Sequence, residues 1–285
     1  MTGAEVSIIG SNGFIGSSLV SFLQKENKKL QLFESESTYI DDFGQLKENI
    51  ANSEIIVWCA SKVNPISAQN NSELVKDEIE IWKNFVKYIA RNSDKSPELI
   101  FMSTGGCIYS GENPPFREDA EANGSNIYGK MKSDMEKILI TSGLKYKILR
   151  VANVYGPGQP SGRGQGVIAE WVNRIRNAEP IEIFGNLENS RDFLHVQDLN
   201  LAISQLIKIS GNQILNIGSG KATKLNELLQ IFNSKSNSKI EVAYSDARTV
   251  DRSEYWLDIS KMRQLTTWQP RINLKSGILE ILNSI

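Results

Sequence analysis

Histidine is almost missing from this 285-residue chain, and His195 is the one imidazole. A multi-histidine metal centre is thereby excluded, and acid–base chemistry through histidine would rest on a single side chain. His195 sits inside an apolar motif and reads as a packed structural residue. Cysteine is nearly as scarce. Cys59 and Cys107 lie far apart in apolar stretches, as expected of reduced core thiols in a cytoplasmic protein rather than of a disulfide or metal site. No apolar run is long enough to span a bilayer, and no signal-peptide pattern is present. Excess charge is lacking too. With 32 Lys and Arg against 33 Asp and Glu, the net charge is −1, so no basic surface argues for nucleic acid. Internal repeats and low-complexity segments are absent. The remaining composition, 40% hydrophobic and 23% charged, is that of a globular protein with chain enough for a full core and a second lobe.

Glycine, by contrast, is placed with a pattern. Val6, Ile8 and Ile9 read as a short buried strand, glycines follow at Gly10, Gly13 and Gly16, and Ile15, Leu19 and Leu23 continue at helical spacing. A strand that turns through glycines into a helix makes an anion site. Backbone N–H groups and the helix dipole point at a phosphate, and the missing Cβ atoms let it approach. An ordinary βα turn is the alternative. As a dinucleotide site the turn would use Gly10, Asn12, Gly13, Phe14, Ile15 and Gly16. Leu30 to Phe33 reads as the second strand, with Glu34 at its end, about where a carboxylate holds the adenosine ribose in such folds. A carboxylate there favours NAD, since it repels a 2′-phosphate. Ser35 and Ser37 could tolerate that phosphate, so NAD or NADP both stay open, as does a merely solvated charge.

Asp41 and Asp42 precede a helical segment around Leu46 to Ile50. Ile55 to Ala60 is an unbroken apolar run, as expected of a parallel strand covered on both faces, and small residues at Ala60 and Ser61 would let a cofactor pass over its end. Ser72 reads as the cap of a long amphipathic helix whose stripe of Leu74, Val75, Ile79, Trp82, Phe85, Val86 and Ile89 is core, or else a dimer surface. A strand over Leu99 to Met102, a polar loop to about Asn126, a helix from Ile127 to Ser142 and a strand from Tyr146 to Val151 follow. This alternation predicts an α/β fold with a doubly wound parallel sheet. Beyond about residue 155 the texture changes to glycine-rich loops, helices near 167–177, 199–209 and 225–232, and strands near 181–184 and 214–217. The chain therefore divides into a dinucleotide-binding domain over 1–155 and a smaller, interleaved C-terminal α/β lobe over 156–285.

Tyr128 and Lys132 stand four apart on one helix and share a face. A free phenol has a pKa near ~10 and is a poor base at neutral pH. A neighbouring ammonium favours the phenolate and brings it toward the working range. An exposed Tyr and Lys on a helix surface is the bland alternative.

A glycine-rich βα turn followed later by Tyr-x-x-x-Lys resembles the short-chain dehydrogenase/reductase superfamily. The stretches Leu149 to Gly158, Arg191-Asp192-Phe193-Leu194-His195-Val196-Gln197-Asp198, Leu215 to Gly220, Asp258 to Lys261 and Trp268-Gln269-Pro270 resemble its extended, nucleotide-sugar-modifying branch, the NAD-dependent epimerase/dehydratases. The likeness runs in order along essentially the whole chain. It implies a Rossmann sheet in which the glycine turn receives the NAD(P) pyrophosphate and Lys132 holds the nicotinamide ribose and tunes Tyr128. It also implies that Tyr128 exchanges a proton with a sugar hydroxyl or ketone while hydride moves. Asn153, Arg191 and Arg248 match positions that grip the diphosphate of a nucleotide-diphospho-sugar, as guanidinium forks suit phosphate oxygens. For Arg150 and Arg191 an ion pair with Asp192 or Asp198 is the alternative. A homodimer built on helices 72–92 and 127–142 is the family habit, and composition adds the expectation of no metal, no nucleic acid and no membrane.

Two departures stand out. The family's catalytic Ser or Thr falls here on Gly105, so its hydroxyl must come from Thr104, from Ser103 or from water, with Thr104 preferred. An asparagine common in the long helix is replaced, at Glu78. Three functions remain. The first is a 4-ketoreductase of a nucleotide-linked 4-keto-6-deoxy sugar, which the compact chain favours. The second is a nucleotide-sugar 4-epimerase, which Glu34 favours. The third is a non-catalytic NAD(P)-binding regulator, which the loss at Gly105 suggests and the intact Tyr128/Lys132 pair opposes. A 4,6-dehydratase lacks its Asp-Glu pair after Thr104.

Overall fold

A computed structural model describes residues 5–34, 50, 53–92, 96–111, 113–162, 166–235, 240–247 and 252–283. The segment holding Asp41, Asp42 and Leu46 lies outside the described residues, as does Arg248. In chain order, β1 (Glu5–Ile9), α1 (Phe14–Lys25), β2 (Lys29–Phe33) and β3 (Ile55–Trp58) precede α2 (Pro65–Asn70) and the long α3 (Ser72–Asn92). β4 (Glu98–Thr104), α4 (Gly105–Ile108), α5 (Ile127–Ile140), β5 (Tyr146–Val151) and β6 (Asn153–Tyr155) follow. Then come α6 (Val167–Arg176), β7 (Ile181–Phe184), β8 (Ser190–Arg191), β9 (Phe193–His195), α7 (Val196–Leu206) and β10 (Gln213–Ile217). β11 (Thr223–Lys224), α8 (Leu225–Asn233), β12 (Val242–Ser245), α9 (Ser260–Leu265) and α10 (Leu274–Asn283) complete the chain.

Six strands form one all-parallel sheet in the order β2-β1-β3-β4-β5-β10. Successive side chains along each strand point to opposite faces, and both faces are covered. Val6, Ile8, Ile55, Val57, Ile100 and Leu149 pack with Leu19 and Leu23 of α1 and Leu199 and Ile203 of α7. Ile9, Ile56, Trp58, Leu99, Phe101 and Ile148 pack with Trp82, Phe85 and Ile89 of α3 and with Met131 and Met135 of α5. Double coverage is why these strands read as unbroken apolar runs. The predicted doubly wound sheet is thus present, and its sixth strand is supplied from beyond residue 156. A separate, smaller cluster holds Ile168, Trp171, Ile181, Ile183, Leu228, Phe232 and Ile278, around the parallel pair β7–β12.

Two local readings need correction. The cap of α3 is Asn71, whose Oδ1 accepts the Leu74 N–H at 3.0 Å, while Ser72 is already helical. Asparagine and serine cap equally well, so the neighbouring pair gave no local basis for choosing. α2 was unforeseen, being too short for periodicity to show. It is set by Asn64, which accepts from Ile66 and Ser67 N–H at 2.9 Å, and by Pro65 in the first turn.

The Arg191 to Asp198 motif builds a structural joint. His195 is 1% exposed and caps α7, its Nδ1 accepting the Gln197 N–H at 3.3 Å. Asp198 accepts the Arg271 and Ile272 N–H groups, each at 3.0 Å. Burial lowers the His195 pKa, outweighing the opposing charges of Glu280 and Asp198. A histidine held neutral in the fold is protonated first in the unfolded chain, so stability is full above about pH 6.5 and declines as pH falls below it. Urea midpoints followed downward from neutral pH should show that decline, and His195→Asn, which keeps a cap but cannot titrate, should flatten it.

Candidate active site

The chain leaves β1 toward β2 on one side and finds β3 on the other, so the crevice beyond the carboxyl ends of β1 and β3 is the topological switch point of the sheet. The glycine turn closes that crevice. Gly10 has φ +83°, and a Cβ on it would lie 2.7 Å from the Ala60 nitrogen at the end of β3. A Cβ on Gly16 would strike the Gly10 carbonyl, so only glycine lets α1 start this close to the strand. The Gly10 and Ser11 N–H groups bond to the Phe33 carbonyl at 2.7 and 3.1 Å, which brings Glu34, exposed at the end of β2, beside the turn.

A dinucleotide pyrophosphate fits this cradle. The first turn of α1 carries no acidic side chain and no side-chain cap, so its dipole and N–H groups are available to an anion. The Ser11 hydroxyl is buried without a hydrogen-bond partner among the described residues, and a polar ligand atom would supply one.

From this turn a cavity of about 530 Å³ extends across the sheet edge into the smaller lobe, a volume within the ~300–1,000 Å³ of ligand sites. Its lining includes Gly13, Phe14, Ile15 and Ala60 from the turn and the end of β3, Ser103, Thr104, Tyr128, Lys132 and Asn153, and Arg191, Arg252 and Tyr255. Gly10, Asn12, Gly16 and Glu34 stand behind or beside it rather than in its wall.

Lys132 is 3% exposed. Its ammonium donates to the Met102 carbonyl at 3.3 Å and lies 5.0 Å from the Phe101 ring centroid and 5.8 Å from that of Tyr128. Burial lowers the Lys132 pKa against the opposing pull of Glu78, Glu136 and Cys59. The phenol of Tyr128 moves contrary to expectation. Its pKa is raised, by loss of hydration first and by Cys107 and Glu78 next. An ammonium lowers a phenol only where its attraction exceeds the cost of burying the phenolate, and here burial dominates.

The structure separates the two hydroxyls before Gly105. Ser103 is 7% exposed and donates to Glu136 Oε1, whereas Thr104 leaves the strand at the cavity with no capping bond. A Cβ at Gly105 would lie 2.6 Å from the Leu257 Cδ1 methyl and 3.1 Å from the Val151 carbonyl, so a side chain there would require Leu257 to shift. Arg150 is not a phosphate ligand and pairs with neither Asp192 nor Asp198. Its Nη2 and Nε reach Glu136 at 2.8 and 3.2 Å, while Asp192 accepts the Ser219, Gly220 and Leu257 N–H groups. Arg191 lines the cavity and donates to the Ser190 carbonyl at 2.9 Å. Both cysteines are cavity-wall thiols rather than deep core, and burial pushes Cys59 up to about 12. Arg252, missed from the sequence, enters the wall with Nη2 on the Tyr109 carbonyl at 2.6 Å and its guanidinium over Phe116. Its only signal was an arginine in a polar stretch close to Arg248.

Residues 6–218 match the NAD dependent epimerase/dehydratase family. The chain belongs to that family. It is thus an enzyme, using a nicotinamide dinucleotide, of a family that modifies nucleotide sugars by epimerisation, dehydration or reduction. Over 98% of this chain and 97% of the relative, it is 29% identical to the dTDP-4-dehydro-6-deoxyglucose reductase of Escherichia coli. It is 30% identical to a putative UDP-glucose 4-epimerase of Methanocaldococcus jannaschii, with the same coverage of each chain. Among solved structures, the UDP-glucose 4-epimerase of Thermotoga maritima with UDP-glucose superimposes with TM-score 0.81 at 26% identity, over 98% of this chain and 97% of that one. MoeE5 in complex with UDP-glucose and NAD shares the fold at TM-score 0.87 and 20% identity, with coverage of 98% and 97%. The Rossmann expectation, the family and the cofactor class read from the sequence all stand. No described helix is long and apolar enough to cross a membrane.

Proposed function

We propose that this enzyme is a 4-ketoreductase of a nucleotide-linked 4-keto-6-deoxy sugar. The observation that carries the reading is Tyr128, a phenol held protonated in the cavity wall beside a buried ammonium. A protonated phenol is a ready acid, suited to a ketone oxygen that gains negative charge as hydride arrives at its carbon. Full-length similarity to a reductase points the same way. The dinucleotide supplies the hydride when bound. Gly10, Asn12, Gly13, Phe14, Ile15 and Gly16 would hold its pyrophosphate, Glu34 its adenosine ribose, Ala60 would let it pass over the end of β3, and Lys132 would hold the nicotinamide ribose.

The residues of the chain then divide the work. Tyr128 gives its proton to the ketone oxygen, and Lys132 steadies the phenolate left behind. Thr104 donates a hydrogen bond to the same oxygen. Asn153 and Arg191 grip the diphosphate, joined by Arg252 on the cavity wall and by Arg248, with the 156–285 lobe closing over the sugar. Thr104→Val should lower kcat by about 10²-fold, as for loss of one oxyanion donor, whereas Ser103→Ala should leave kcat nearly unchanged and lower stability, because its hydroxyl serves Glu136.

A 4-epimerase is the second reading, favoured by Glu34 beside the glycine turn, since a carboxylate at the ribose suits a retained NAD, and by the similarity to a putative epimerase. Incubation with a panel of nucleotide sugars and 4-keto intermediates decides between them. Net consumption of reduced nicotinamide supports the reductase. Interconversion with cofactor retained through purification and no net absorbance change supports the epimerase. The molecule is further proposed to act in the cytoplasm as a homodimer through α3 and α5; Ile127 and Ile140, at the two ends of α5, are 47% and 41% exposed. Sedimentation of the parent and of Ile127→Lys should give a dimer and a monomer.

A further inference from the structure

Lys132 carries more charge than its visible partners answer. Among the described residues its one hydrogen bond goes to a neutral carbonyl, that of Met102, although the side chain is buried. A buried ammonium without an opposite charge is costly and tends to lose its proton. Glu136, one turn further along α5, is the obvious partner, yet its carboxylate is fully engaged. Oε1 takes the Ser103 hydroxyl and Arg150 Nε, and Oε2 takes Arg150 Nη2.

Glu78 is different. It is 7% exposed. Its Oε2 accepts the Lys62 N–H at 3.2 Å, from the loop after β3 that lines the cavity, and its Oε1 is buried with no hydrogen-bond partner among the described residues. The packing of the helices places it. α3 and α5 cover the same face of a parallel sheet and so run in the same direction. The Trp82 indole on α3 donates to the Met135 carbonyl on α5 at 2.9 Å. Stepping back one turn on each helix brings Glu78 opposite Met131 and Lys132, and both Lys132 and Tyr128 feel its charge.

We propose that Glu78 is a positioning residue for the hydride-transfer reaction: its buried carboxylate is the charge partner of Lys132 and so sets the electrostatic surroundings of the Tyr128/Lys132 pair. The inference rests on the Tyr128/Lys132 reading above and assigns that pair a third member on a different helix. The other groups facing the pair are Cys107 on α4, Cys59 after β3 and Glu136 on α5. Cys59 is held as a neutral thiol at pH 7, its pKa pushed up to about 12 by burial, and Glu136 is neutralised by Arg150, which leaves Glu78, among the described residues facing the pair, as the unmatched carboxylate.

Glu78→Gln tests the idea, because it removes the charge and keeps the shape and the acceptor for Lys62. In ring-labelled protein without cofactor, the Tyr128 resonance is assigned by its loss in Tyr128→Phe. On raising pH it should begin to shift about one unit lower in Glu78→Gln than in the parent. The high-pH limb of the hydride-transfer rate should move down by a similar amount, and Glu78→Asp, which keeps the charge, should restore both. If the carboxamide variant does not fold, Glu78→Asn makes the same neutral change with one methylene fewer. A Tyr128 resonance that titrates where the parent does, or higher, overturns the proposal. Should Tyr128→Phe itself retain full activity, the reading of the pair fails instead, so the two failures are distinguishable.

Discussion

Tyr128→Phe should lower the hydride-transfer rate by about 10²–10⁴-fold, the range of a positioned general acid, while leaving the fold and the cofactor site intact. The reasons lie in what the hydroxyl does and does not touch. The ring packs against the α3–α5 core, and phenylalanine keeps that ring. The glycine turn and Ser11, which would hold the dinucleotide, do not depend on the phenol. Cofactor affinity, measured by quenching of tryptophan fluorescence, should therefore change little, and the loss should fall on kcat rather than on KM. The residual rate should also lose the high-pH limb. A variant that turns over at the parental rate would remove Tyr128 from the chemistry altogether.

The second large effect is on stability. Arg150 and Glu136 are 4% and 3% exposed and form a two-point ion pair at 2.8 and 3.2 Å. Burial works against the guanidinium charge, but the bonds to Glu136 outweigh it and the net shift keeps Arg150 protonated. Glu136→Ala strands that charge between α5 and β5 with only uncharged partners among the described residues, the Glu118 carbonyl at 3.0 Å and the Tyr109 side chain. Removing one member of a buried pair costs about 3–5 kcal/mol, which for a chain of this size lowers Tm by on the order of 10 °C. Replacing both members by apolar residues, Glu136→Leu with Arg150→Met, should recover most of the loss, since desolvation of two charges offsets much of their attraction. Urea unfolding of the single and double variants checks this. Equal destabilisation of both would mean that packing volume, not the unpaired charge, governs the joint.

These two sites differ in how much of them the sequence revealed. Tyr128 and Lys132 were visible because a helix puts residues four apart on one face, and the glycine turn because a strand, three spaced glycines and a helical stripe are each local patterns. The sheet strands were visible because burial on both faces leaves an unbroken apolar run. Arg150 was visible only as an arginine needing a partner. Its carboxylate sits fourteen positions earlier on a different element, and the candidates offered by the later motif, Asp192 and Asp198, hold backbone N–H groups. The same limit applies to Thr104 and Ser103, adjacent hydroxyls on one strand end. Both line the cavity, but the Ser103 hydroxyl is taken by Glu136, and which of the two is engaged depends on what packs against each face.

The sequence by itself determined the doubly wound sheet, the dinucleotide turn, the Tyr128/Lys132 pair and the family, since each is written in short-range spacing. The tertiary structure alone decided which charges meet, which of the two hydroxyls is committed to Glu136, that burial lifts rather than lowers the Tyr128 phenol, and that Arg252 lines the cavity. Desolvation and ion pairing depend on the volume around a group, and that volume is filled by side chains from elements far apart in the chain.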